Sequence, residues 1–305
     1  MKRILEITER GTRLRLLDKA LYIQPPEQPE RTVSLDDLGS ILLSTPAASV
    51  SGAALASLAA ANIPVVVCDE RQFPCGLFLP FAGKSDQTRV LAGQIAASLP
   101  VRKRLWQELV RAKIENQAIV LSRVGRPEAQ TLATLVTRVR SGDAGNREAA
   151  AARLYWRALG LFPARRRGAA NANCLFDYSY TILASLCARA ICAAGLHPGI
   201  GLHHRNGRNA FCLAYDLVEP FRAAADLAVL RWISVHAGDS TLSPEAKRFL
   251  VRETLNVSFI VDDRKETVTH VAEHTAIALR DALLTGETHL FRSPTLSCED
   301  VPKCG

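Results

Sequence analysis

The chain has 305 residues, 48% hydrophobic and 22% charged, the composition of a soluble globular protein with room for two domains. Its net charge is +8, and 30 of its 38 basic residues are Arg; the planar Arg fork suits phosphate oxygens, although a GC-rich genome gives the same bias. The opening MKRILEITERG has no apolar signal core, every long apolar stretch is broken by polar residues or Pro64, and eight scattered cysteines form no CxxC pair; this argues against a membrane-spanning helix and a structural zinc site and points to a reducing cytoplasm.

Residues 1–80 read as β-rich. Alternation over 3–8 and 12–17 around Glu9-Arg10-Gly11 predicts a hairpin, followed by strands over 20–24, 32–35 and 40–43. Ser49 or Ser51 is placed to cap a short helix over 53–61, and the β-branched run 64–69 predicts a buried strand. FAGKSDQT, residues 81–88, is a linker candidate. Beyond it the period turns helical: Leu105, Leu109, Val110, Ile114 and Ala118 recur at three and four. Further helices are expected over 132–139, from an Asn146 cap to a Gly160 stop, and over 178–194, 216–235, 244–254 and 268–284. Residues 163–173 read as a basic loop. The expected fold class is α+β in two domains: a small β-rich, sandwich-like domain over 1–85 and a larger all-α domain over 86–305.

Charge is concentrated rather than spread. Residues 101–170 hold 15 Arg or Lys against five acids, the usual footprint of nucleic-acid binding. Within the run HRNGRNAFCLAYDLVEPFR, His204 precedes Asp216 and Glu219. An imidazole with carboxylates, these three and Glu148, makes a donor set suited to Mg²⁺ or Mn²⁺. Each residue also has a plainer reading. Glu148 in a first helical turn favours the macrodipole, and Asp216-x-x-Glu219 before Pro220 is equally a capping box. Trp106 and Trp156 suit a core better than a base-stacking surface, and Cys187 and Cys192 read as small core residues.

Several segments together resemble the first CRISPR-associated protein family, in the version found beside type II effector systems. They are VSLDDLGSILLS from Val33, RLWQELVRAKIENQA from Arg104, GDAGNREAAAARLYW from Gly142, NCLFDYSYTILASL from Asn173 and GLHPGIGLHHRNGRNAFCLAYDLVEPFR from Gly195. The resemblance implies a metal-dependent DNA endonuclease and integrase of CRISPR adaptation, joining short duplexes into a repeat array by 3′-OH attack on a phosphodiester. It implies Glu148, His204 and Glu219 as catalytic metal ligands, with Asp216 as a further ligand or a helper. Arg165, Arg166, Arg167, His203, Arg205 and Arg222 are the expected DNA contacts. The implied partners are double-stranded spacer-precursor and repeat DNA, a second copy in a homodimer formed through the β domain, and a small second CRISPR-associated protein. Departures from the family pattern are Asp177 and Ser179, where Asn and Gly are usual, and Ala223 in place of Pro. The rival readings are a metal-dependent nuclease without integration and a non-catalytic DNA-binding scaffold.

Overall fold

The computed structural model describes residues 3–70, 74–78, 87–160, 172–236 and 239–297. Arg165, Arg166 and Arg167, with the basic loop around them, lie outside these residues, as does most of the linker candidate. The chain divides into two compact units, Met1–Thr88 and Arg89–Gly305.

The first unit runs β1 (Arg3–Ile7), β2 (Arg13–Leu17), β3 (Ala20–Gln24), β4 (Arg31–Ser34), β5 (Leu38–Leu43), β6 (Ser49–Val50), α1 (Gly52–Ala60), β7 (Val65–Cys68) and β8 (Pro74–Phe78). Among the described residues these strands form two sheets, β1-β5-β7-β8 and β4-β3-β2-β6. β1, β5 and β7 are parallel, and β8 is antiparallel on β7. Ile7, Ile41 and Val65 from one sheet, Leu14, Leu21 and Ile23 from the other, and Ala54 and Leu58 from α1 share one buried cluster. α1 starts where Ser51 accepts from the Ala54 N–H at 3.2 Å, so Ser51 rather than Ser49 is the cap.

The hairpin expected between residues 3–8 and 12–17 does not form. β1 pairs with β5, and β2 pairs with β3 and β6. Residues 8–12 instead carry the chain from one sheet to the other, with Gly11 at φ +81° donating to the Ala47 carbonyl at 3.2 Å. Alternation fixes which face a residue presents, not which strand lies beside it. The first true hairpin turns at Asp18-Lys19, both at positive φ (48° and 62°), and joins β2 to β3.

The second unit contains α2 (Gln87–Ala96, beginning at the boundary), α3 (Leu99–Arg123), α4 (Glu128–Thr137), α5 (Arg147–Leu159), α6 (Asn173–Ala193), α7 (Cys212–Leu217), α8 (Arg222–Val235), α9 (Pro244–Asn256), β9 (Ser258–Val261), β10 (Arg264–Thr267), α10 (Val268–Thr285) and β11 (Thr295–Leu296). The all-α expectation is therefore corrected: β9 is the centre strand of a small antiparallel sheet, β10-β9-β11. Its hairpin turns at Asp262-Asp263, again at positive φ. The single helix expected over 216–235 is also corrected. It is two helices separated by a 3₁₀ turn, Glu219–Phe221. Pro220 has no N–H to continue the helical ladder, and its ring crowds the preceding turn. Cys187 is buried and Cys192 partly so, on α6 as expected. Among the described residues no helix is long and apolar enough to cross a membrane.

α3 is the scaffold of this unit. Leu105, Trp106, Leu109, Val110, Ile114, Val120 and Leu121 are buried along it, and so are Lys113, Asn116 and Gln117. It packs on α4 and also on α5, α7, α8 and the 219–221 turn, which carry candidate-site residues.

Candidate active site

Glu148 sits in the first turn of α5, and the turn before that helix is built to place it. Gly142, Asp143 and Asn146 all adopt left-handed φ (69°, 50° and 49°). Asp143 is buried, and its two carboxylate oxygens accept from the N–H groups of Arg147 (2.8 Å) and Glu148 (3.0 Å). Asn146 precedes the helix as expected but makes no side-chain cap; the capping acceptor is Asp143. The left-handed bend carries Asp143 back under the helix start, where a carboxylate satisfies two N–H groups and meets the positive end of the dipole.

Asp216 lies inside α7 and is fully buried. It caps no helix, so that reading is set aside. Its Oδ2 accepts from the N–H groups of Leu202 (2.6 Å) and His203 (3.1 Å), and its Oδ1 accepts from the His204 N–H (3.2 Å). The same Oδ1 stands 2.5 Å from His204 Nδ1. A carboxylate can only accept, so this contact places a ring proton on Nδ1 and, in the neutral imidazole, leaves the lone pair on Nε2. The hydrogen bond to Asp216 is the main cause of a raised His204 pKa, opposed by partial burial and supported by the charges of Asp216, Glu219 and Glu148. Asp216 thus pins the backbone of residues 202–204 and orients the imidazole. Gly201 makes the close approach possible: a Cβ there would fall on the His204 carbonyl oxygen and 2.8 Å from Asp216 Oδ2. Gln94 of α2 secures the start of the same loop, donating to the carbonyls of His197 and Ile200 (both 3.0 Å) and accepting from the His197 N–H (2.8 Å).

Trp106 lies in the core, 1% exposed. His203 stacks flat on it, with centroids 4.4 Å apart and planes 4° apart, and His204 meets it edge-on at 5.7 Å. The neighbouring histidines are thereby turned to different tasks, His203 onto the indole and His204 onto Asp216. Trp156 is only half-buried, edge-on to Phe176 and Tyr155.

Glu219 opens the 3₁₀ turn and is almost fully buried. Arg222 donates to its Oε1 from Nε (3.0 Å) and approaches the same oxygen with Nη2 (3.0 Å). Burial pushes the Glu219 pKa up, but Arg222 and Lys113 outweigh it and hold the group at about 2. Arg222, expected to contact DNA, is turned inward on Glu219, with its guanidinium 4.5 Å from the Tyr180 ring centroid. The hydroxyls of Tyr180 (2.5 Å) and Tyr155 (2.8 Å) in turn donate to the two oxygens of buried Asp226. Arg205 is exposed on the loop.

Lys113 joins the two glutamates. Its Nζ lies 2.6 Å from Glu148 Oε1 and 2.5 Å from Glu219 Oε2. The Glu148 contact is a hydrogen bond. The Glu219 contact is a close ion pair whose angles fall short of hydrogen-bond geometry. The expected ligands therefore fall into two linked pairs: Glu148 and Glu219 share one ammonium, and His204 is held by Asp216. Among the described residues no three His, Cys, Asp or Glu side chains converge at ion-holding distance.

Sequence reasoning did not single out Lys113, Asp143 or Gln94. The signal for Lys113 was present: it lies four residues after Leu109 and three after Val110, on the apolar face of α3, where an unpaired charge is costly. Asp143 was masked by Asn146, the more familiar cap.

The family model described as "CRISPR associated protein Cas1" matches residues 5–241. A CRISPR-associated endonuclease Cas1 from Neisseria meningitidis serogroup C (strain 8013) is 36% identical over 247 residues, 81% of either chain. A solved structure titled "Casposase bound to integration product" superposes with a TM-score of 0.78 at 23% identity, covering 94% of this chain and 92% of that one. A chain of the Cas6-RT-Cas1–Cas2 complex gives 0.77 at 20% identity, covering 96% of this chain and 36% of that longer one; at these identities the likeness is one of fold. With the model spanning most of its length and a relative of that identity matched over four-fifths of it, this chain belongs to the Cas1 family of CRISPR-associated proteins.

Proposed function

We propose that this chain is a DNA endonuclease and integrase of CRISPR adaptation that works with Mg²⁺ or Mn²⁺ held by Glu148, His204 and Glu219. The observation that carries the reading is the convergence of two carboxylates from different elements, Glu148 and the buried Glu219, on the single ammonium of Lys113. Converging carboxylates need a cation between them, and an oxygen-rich set completed by one imidazole nitrogen suits a hard divalent ion. Such an ion supplies charge stabilisation at a scissile phosphodiester and acidifies an attacking hydroxyl.

The chain's own residues do the rest. Asp216 keeps the His204 proton on Nδ1 and so keeps Nε2 available. Arg222 holds Glu219 ionised and aimed. Asp143 fixes the backbone from which Glu148 extends. Substrate DNA is held through its phosphates by basic residues, among them the exposed Arg205 and those of the basic sequence stretch 101–170, with little base readout; binding should weaken steeply with salt. The name of the Neisseria relative supports endonuclease activity, and the casposase title supports strand joining. The Cas1–Cas2 assembly supports a small Cas2-type partner, and joining two ends requires two such centres, which a homodimer provides.

The test is strand transfer of a short duplex with free 3′ ends into a repeat-bearing plasmid. Joined product is expected in Mn²⁺, and neither joining nor nicking is expected in EDTA or with Glu219→Gln or His204→Ala. Nicking without joining would reduce the reading to a nuclease; full activity in both variants would remove the site.

A further inference from the structure

We infer that Lys113 is the resident counter-cation of this site, and that its ammonium withdraws from Glu148 and Glu219 when a divalent ion enters. The inference rests on the divalent-ion reading above and adds a role for a residue outside the ligand set. Lys113 is 7% exposed and holds two carboxylates that belong to different elements of the fold. A buried carboxylate facing a partly exposed one without a cation between them would repel it, so in the ion-free protein Lys113 is what keeps Glu219 and Glu148 adjacent.

Its grip is uneven. The Glu148 contact is a hydrogen bond, whereas the Glu219 contact lacks hydrogen-bond direction. Glu219 has a second cation on its other oxygen, since Arg222 engages Oε1. Lys113 can therefore leave Glu219 without leaving that carboxylate uncompensated. Glu148 is 28% exposed, so the Glu148 edge is the open side, toward which a four-carbon stem rooted in α3 can swing. A dication and an ammonium cannot both sit against the same two oxygens, because their repulsion at contact distance in a partly buried site is large. Binding of the ion and seating of Lys113 exclude one another, and the lysine keeps the affinity below what the bare carboxylates would give.

Two measurements on the purified full chain test this with Mn²⁺ alone. Calorimetric titration of Lys113→Gln should give an apparent Mn²⁺ dissociation constant about tenfold tighter than the parent's, one full competing charge contact removed, together with a lower melting temperature in EDTA. Affinity within twofold of the parent, or weaker, overturns the inference. The second measurement uses the parent protein, so it stands even if the variant does not fold. Acetylation of Lys113 by an activated ester, read by peptide mass spectrometry, should rise severalfold on adding saturating Mn²⁺. Unchanged reactivity with Mn²⁺ bound sinks the displacement alone; no Mn²⁺ binding by the parent sinks the divalent-ion reading beneath it.

Discussion

Replacing Asp216 by Asn tests the structural role of that residue apart from any ion. The carboxylate is fully buried and accepts four contacts, two on each oxygen. An amide offers one acceptor and one donor group, so in either orientation two donors lose their partner. The cheaper orientation turns the amide nitrogen toward His204, whose partly exposed ring can change tautomer and accept. The His204 backbone N–H is still orphaned, and the bonds from Leu202 and His203 lose their charge-assisted strength. At about 1–3 kcal/mol for a buried donor left unpaired, with a smaller loss on the remaining bonds, the substitution should destabilise the second unit by about 2–3 kcal/mol. Urea unfolding in EDTA, followed by circular dichroism, measures this as a lower midpoint at unchanged slope. Amide exchange at residues 202–204 should accelerate at the same time. A variant within about 0.5 kcal/mol of the parent, the usual range for a surface substitution, with those amides exchanging at parental rates, would refute the pinning role.

Three further outcomes are expected. Asp143→Ala removes both acceptors at the start of α5; unfolding should show a loss of about 1–2 kcal/mol, and Mn²⁺ affinity should fall because Glu148 loses its fixed backbone. Gly201→Ala should cost more than an ordinary small-to-large change, about 1–3 kcal/mol or above, since the new methyl meets the His204 carbonyl and Asp216; thermal unfolding reads the loss. Burial, then the charge of Asp226, holds the Tyr155 pKa well above 10.0. A phenol with a raised folded-state pKa contributes stability that is complete below the unfolded value and lost as pH rises toward the folded one. Denaturant midpoints should therefore decline above pH 10 in the parent, and Tyr155→Phe should flatten that decline.

Much of the fold is legible because local chemistry is unambiguous there. Gly160 stops α5 in a left-handed conformation, Ser51 caps α1, and the β-branched run of β7 is buried as such runs are. Strand partnership is not legible in the same way. Residues 3–8 and 12–17 alternate as hairpin strands do, yet the long-range pairing of β1 with β5 is decided by the shared core. The hairpin at Asp262-Asp263 is hidden because Asp lacks the strong turn signature of Asn-Gly. In the site, the family resemblance points to His204, and Gly201, three residues before it, is the position where the backbone passes against Asp216. What spacing cannot show is partnership between distant groups. Lys113 reads as one charge in a helix until the chain brings Glu148 and Glu219 to it. Arg222 reads as a basic surface residue until Glu219, three positions earlier, turns inward.

One turn of α3 beyond Lys113, Asn116 ties the site to the far end of the sequence. Its amide nitrogen donates to the carbonyls of Pro220 (2.8 Å) and Pro294 (3.1 Å), and its oxygen accepts from the Leu296 N–H (2.8 Å). The residue after Glu219 and the strand β11 are thus strapped to a single, fully buried side chain. Cleavage just ahead of Pro294 would slacken the turn that presents Glu219 without removing any expected ligand from the chain, so a protease nick near the C-terminal segment should register at Glu219 before it registers in helix content.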